Sequence, residues 1–225
     1  MQKMKIIDLT MPIEDHLRWP VERKLNSDFA QGDPFQVTWL GWAVHGFTHM
    51  DAPRHMLPNG KTTDDIPLES VVGECAIFDL SGIADNTPIS AAMLAQSCDD
   101  VRADDIALIK TAWDTRYSYK TAEFWTQAPY MSREGATWLL EQQVKAVAFD
   151  FPQDYVIRLL LKNETATMDQ FVTHDVLLRN GVILVEYLCN TAALINGRTM
   201  LYALPLKIPH ADGAPARVIA VEDGD

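Results

Sequence analysis

Short apolar runs rich in Val, Ile and Leu recur along the chain, separated by charged or Gly/Pro-bearing stretches. Such runs predict strands. They fall at residues 6–9, 36–45, 75–80, 106–109, 146–149, 182–188, 201–208 and 218–221. Trp19-Pro20 and the charged, polar stretch to about Asp33 predict a loop. Helical signals fall between some of the strands. Thr87-Pro88 leads into a helix over 90–96. Ser132 caps a second over 132–144, with Glu134 in its first turn and Ala136, Leu139, Leu140 and Val144 on one face. A short third helix over 174–179 is ended by Asn180-Gly181. Strands interspersed with helices imply a mixed α/β fold. No repeat, low-complexity tract or long Gly/Ser linker divides the chain, so residues 1–225 are expected to form one domain. Periodicity leaves open whether the sheet is closed.

Composition narrows the function classes. At 225 residues, 48% hydrophobic and 22% charged, the chain can bury a substantial core. Its formal charge of −12 argues against a nucleic-acid partner, which needs clustered Lys and Arg, and favours solubility. No apolar run approaches the ~20 residues of a membrane span. The opening segment, with Lys3 and Lys5, lacks the apolar stretch and cleavage site of a signal peptide. Cys75, Cys98 and Cys189 are odd in number and widely spaced, with no C-x-x-C pair, so a reducing compartment is expected. The default is the cytoplasm.

Candidate chemistry concentrates in His45-Gly-Phe-Thr-His49-Met-Asp51-Ala-Pro-Arg-His55. In a helix Asp51 would lie about 200° from His49, and Pro53 disfavours helix at Ala52. In an extended chain alternate residues share a side, so His45, His49 and Asp51 can converge before the Pro53 turn. Two imidazoles and a carboxylate suit Zn²⁺ or Mn²⁺, and the missing thiolates point away from a closed structural zinc site. Far downstream, Glu186 interrupts an apolar strand and is expected to be exposed, paired with a base or bound to a metal. No G-x-S-x-G elbow is present and the cysteines lie outside the cluster, so metal-activated water is the better nucleophile.

The segment from His45 to His55 resembles the signature of the cyclase family of metal-dependent hydrolases, H-x-G-T-H-x-D-A-P-x-H. Further pieces follow in the family order: Trp19-Pro20, Lys110-Thr-Ala-Trp113, Val147-Ala-Phe-Asp150 before Pro152, His174 with Glu186 twelve residues on, Leu204-Pro-Leu-Lys207-Ile and Ala211-Asp-Gly-Ala-Pro215. The resemblance implies a swivelling β/β/α-type domain, assembled as a homodimer or larger oligomer. It implies that His45, His49 and Asp51 hold one metal, while Asp51, His174 and Glu186 hold or share a second. His55 matches the proton-transfer residue, Glu186 joins it in the catalytic set, and Trp19 matches a pocket aromatic. Three departures bear on substrate range. Phe47 replaces a glycine and is a second candidate for substrate contact, Val21-Glu22 replaces Gly-Asp, and Phe151 replaces a small hydroxyl residue.

The activity implied is hydrolysis of a C–N bond in a small aromatic formamide or cyclic amide, of kynurenine formamidase or isatin hydrolase type. Two alternatives stay open: a cyclase or dehydratase using the same centre, and a metal-loaded inactive small-molecule binding protein.

Overall fold

The computed structural model describes residues 4–162 and 164–223. Its strands, in chain order, are β1 (Met4–Asp8), β2 (Glu22–Ser27), β3 (Val37–Gly41), β4 (His49–Asp51), β5 (Val72–Asp79), β6 (Pro88–Ile89), β7 (Ile106–Lys110), β8 (Tyr130–Met131), β9 (Ala146–Phe149), β10 (Ile183–Glu186), β11 (Arg198–Pro205) and β12 (Gly213–Asp223). The main sheet runs β1-β12-β11-β5-β7-β9-β10-β4, and β4 also pairs with β12. That last pairing closes a ring. The parallel stretch β5-β7-β9-β10 carries fully buried apolar runs, as strands covered on both faces do. The fold is mixed α/β with a barrel-like core.

The pleat sorts side chains to two sides. Met50, Cys75, Ile77, Ile106, Leu108, Ala146, Ala148 and Val185 fill the barrel interior. Ala76, Phe78, Ala107, Ile109, Val147, Phe149 and Leu184 face outward into a second core. This outer core is covered by α1 (Ala91–Ser97), α2 (Ala122–Thr126), α3 (Arg133–Glu141), α4 (Ile157–Leu160) and α5 (Val172–Val176). Ser90 and Ser132 cap α1 and α3 by accepting from the Met93 and Gly135 amides. Gly181 ends the turn after α5 at φ 87°, a left-handed conformation that suits glycine.

Two expectations need correction. The stretch from Pro20 to Asp33 is not all loop: β2 pairs with β3 in a hairpin. Glu22 to Asn26 are all exposed, so the strand buries no face and leaves no apolar alternation to detect. The strand expected over 36–45 stops at Gly41, and the chain then turns before β4. His45 therefore does not share an extended strand with His49.

Lys110-Thr-Ala-Trp113 and Val147-Ala-Phe-Asp150 meet at the ends of β7 and β9. The buried Asp150 carboxylate accepts from the Thr111 amide at 3.0 Å, its hydroxyl at 2.6 Å and the Ala112 amide at 2.7 Å, and also from the Thr191 hydroxyl. It thereby pins a turn in which Ala112 has φ 52°. Asp150→Ala orphans two buried amides, so it should cost about 3 kcal/mol or more, read as a lower urea midpoint at unchanged m-value.

Candidate metal centre

The outward face of the ring closure carries the candidate chemistry. Met50 and Val185 point into the barrel, so His49, Asp51 and Glu186 point the other way. His49 lies directly opposite Glu186 on β10, and Asp51 opposite Gly213 on β12. Ala52 remains extended, and Pro53 opens a 3-10 turn over Pro53–His55 that brings His55 back over the site. His174 arrives from α5.

His45 reaches Asp51 from the preceding turn rather than from alternation along a strand. Its ring packs over Gly213, where an added Cβ would stand 2.6 Å from His45 Cε1. Phe47 carries the bend at φ 60°, a conformation strained for a bulky residue. Burial against Trp19, with ring centres 5.0 Å apart, holds it there. Thr48 fixes the next residue, donating to the Tyr187 carbonyl at 2.6 Å and accepting from the Met11 amide at 2.8 Å.

Each imidazole is oriented by an acceptor on its outer side. His49 Nδ1 donates to the Phe47 carbonyl at 2.8 Å, His45 Nε2 to Asp212 at 2.8 Å and His174 Nδ1 to Asp154 at 2.7 Å. The second nitrogen of each ring then faces carboxylate oxygen. His45 Nδ1 lies 2.7 Å and His49 Nε2 3.2 Å from Asp51 Oδ1, while His174 Nε2 lies 3.4 Å from both Asp51 Oδ2 and Glu186 Oε1. Asp51 Oδ2 is buried without a hydrogen-bond donor. Lone pairs confront lone pairs here unless a proton or a cation stands between them. The donor set therefore fits a divalent cation: hard carboxylate oxygens, borderline imidazoles and second-layer partners that fix the tautomers. Donor atoms of His49, Asp51 and Glu186 lie within 4.8 Å of one another, and so do those of His45, Asp51 and His55.

The field of the site agrees. Burial works against charge on His45, but the Asp51 and Asp212 carboxylates push it up to about 9. His174 is likewise buried, and Asp154, Asp51 and Glu186 raise it well above the ordinary imidazole range. Asp51, although buried, is held well below the usual carboxylate range by the surrounding imidazoles. Burial and the Asp51 charge push Glu186 up. Burial pulls His55 down.

A cavity of about 200 Å³ opens over these groups. Arg18, Trp19, Ile157, Leu160, Phe171 and Tyr187 form its other walls. Trp19 thus lines the cavity. Phe47 does not: it stands behind Trp19, fully buried, so its expected direct contact with substrate is corrected to a supporting position. Sequence reasoning missed the roles of Asp154, Asp212 and Gln153, the last of which donates to Glu186. The signals available were the polar pair Gln153-Asp154 soon after an apolar strand and Asp212 beside Gly213, the glycine that admits His45.

Comparison with known proteins decides the family. The family model described as "Putative cyclase" matches residues 7–153. The chain belongs to the cyclase family. It is 27% identical over 195 residues to a kynurenine formamidase of Erythrobacter litoralis, covering 85% of this chain and 80% of that protein. A solved structure described as a potential metal-dependent hydrolase with cyclase activity is 28% identical, with TM-score 0.72, covering 99% of this chain and all of the other. The fold also matches an isatin hydrolase bound to the product analogue thioisatinate, with TM-score 0.80 at 20% identity, covering 98% of this chain and 93% of that one. Among the described residues no helix is long and apolar enough to cross a membrane.

The outer acceptors make a test of the centre. Asp154→Ala frees the His174 ring and should weaken Zn²⁺ or Mn²⁺ binding roughly 10–100-fold, measured by calorimetric titration of metal-free protein. Unchanged affinity would remove His174 from the ligand set.

Proposed function

We propose that this chain is a metal-dependent hydrolase that cleaves the C–N bond of a small aromatic formamide or cyclic amide. One observation carries the reading: three imidazole nitrogens and two carboxylates, drawn from four segments of the chain, converge on one wall of a small, mostly apolar cavity. The likeness to kynurenine formamidase over most of both chains supports a formamide, and the likeness to a potential metal-dependent hydrolase supports the cofactor. Zn²⁺ and Mn²⁺ both suit the donor set, as one or two ions. His45, His49 and Asp51 hold the first, and Asp51, His174 and Glu186 hold or share the second.

A cation held there supplies Lewis acidity towards an amide carbonyl and brings the pKa of water towards ~7. The chain's own residues do the rest. Trp19 presents an aromatic wall, with Phe47 behind it keeping the indole in place. Ile157, Leu160 and Phe171 exclude bulk water. Glu186, a buried carboxylate on the cavity wall, serves in catalysis as well as holding the ion. His55 faces Asp212 through Nδ1 at 3.3 Å and transfers a proton to the departing amine.

Residues 1–225 act as one domain, a reading supported by the pairing of β1 with β12. Phe29, Phe35, Trp39 and Leu40 are exposed on and around the β2–β3 hairpin, apolar surface that supports a homodimer or larger oligomer. Cytoplasmic residence fits three free cysteines. The partner is a small molecule.

Metal-loaded protein is expected to hydrolyse N-formyl aromatic amines or isatin-like rings, with solvent ¹⁸O entering the product. Release of water without ¹⁸O uptake would establish the dehydratase alternative instead. His55→Ala should keep its full metal content and lose at least about 100-fold in kcat; unchanged turnover would exclude proton transfer by His55.

A further inference from the structure

Among the described residues Arg18 is the only Lys or Arg side chain lining the cavity. Its guanidinium carbon lies 4.4 Å from the Trp125 ring centre, 5.1 Å from Trp19 and 5.8 Å from Tyr187. Nη1 donates to the Tyr187 hydroxyl at 3.3 Å. Among the described residues no carboxylate lies within 4.0 Å of it. Arg116 and Arg198, by contrast, are each held by an aspartate at 2.8 Å. Aromatic faces orient a guanidinium without neutralising it, and most of its N–H fork remains free to donate. A half-buried cation without a counter-ion, in a chain of net charge −12, is a site prepared for an anion.

The position is built rather than incidental. The Arg18 amide donates to His16 Nδ1 at 3.1 Å, so His16 carries its proton on Nε2 and donates to the Tyr119 carbonyl at 2.9 Å. The His16 ring stacks on Trp19 with centres 4.5 Å apart. Tyr187 connects this assembly to the metal wall: its ring lies 5.5 Å from the His49 ring, while its hydroxyl accepts from Arg18. The guanidinium therefore stands about one aromatic ring away from the ligand cluster. Apart from Arg18 and the Tyr187 phenol, the ionisable side chains of the cavity belong to the ligand cluster, so without Arg18 an anion would find no compensating charge on the outer wall.

We propose that Arg18 is a specificity-determining residue that receives a carboxylate on the substrate, at the end remote from the scissile amide. The preferred substrates are then anionic aryl amides. This inference rests on the hydrolase reading above and narrows it to a charge class.

The test uses metal-loaded, full-length enzyme with 2- and 4-formamidobenzoate, each against its neutral carboxamide counterpart. Wild-type kcat/KM should favour the faster anion, chiefly through KM. In Arg18→Gln the anion-to-neutral ratio should fall about tenfold or more, and Arg18→Lys should retain part of it. A parallel measurement needs no turnover: benzoate should quench the fluorescence of Trp19 and Trp125 at lower concentration than benzamide, and lose that advantage in Arg18→Gln. A ratio unchanged in Arg18→Gln of normal melting temperature and metal content overturns the proposal. So does wild-type preference for the neutral partners, which decides the matter even if the variants fail to fold. If wild type hydrolyses none of the amides, the hydrolase reading fails, and benzoate against benzamide still decides the role of Arg18.

Discussion

Imidazole lone pairs aimed at buried carboxylate oxygens set the terms for the rest of this structure. Such an arrangement repels itself in a low-dielectric interior, and here Asp51 Oδ2 has no donor at all. The rings could relieve the repulsion by turning over, but their outer N–H groups are engaged by Phe47, Asp212 and Asp154. Several local irregularities follow from that engagement. Gly213 lacks a side chain because His45 lies where a Cβ would be, and Phe47 accepts a left-handed backbone because its carbonyl must face His49. The centre is thus arranged for positive charge, a proton or a cation, between its rings and its carboxylates.

The division of labour between barrel and covering layer is also physical. His49, Asp51 and Glu186 belong to strands bonded into the ring, whereas Arg18, Trp19, Ile157, Leu160 and Phe171 come from segments outside it. Strand hydrogen bonds hold the former to fixed register. The latter are positioned by side-chain packing, such as the stack of His16 on Trp19. Reactivity and selectivity consequently rest on parts of the chain with different mechanical constraints.

Much of this was legible in the sequence, for identifiable reasons. The parallel strands β5, β7, β9 and β10 announce themselves as apolar runs because both their faces are buried. The histidine cluster is visible because a Pro53 turn and two-residue spacing leave few other geometries. The β2–β3 hairpin was not legible, since Glu22 to Asn26 bury nothing. Ring closure depends on β4 meeting β12, a long-range pairing of three residues that no local pattern encodes. The side chains singled out in the sequence do come together, but by a different route: His45 enters from a turn, by virtue of space left at Gly213. Asp154 escaped notice because a buried acid after a strand looks in sequence like any loop residue.

The shortness of β4 has a further consequence. Three residues, bonded on one edge to β10 and on the other to β12, with Met50 sunk in the barrel core, cannot fray independently of their neighbours. Amide protons of this segment should exchange with solvent only when the whole ring opens, although a cavity lies immediately above. Separating His49 from Asp51 and losing the native state are then a single event.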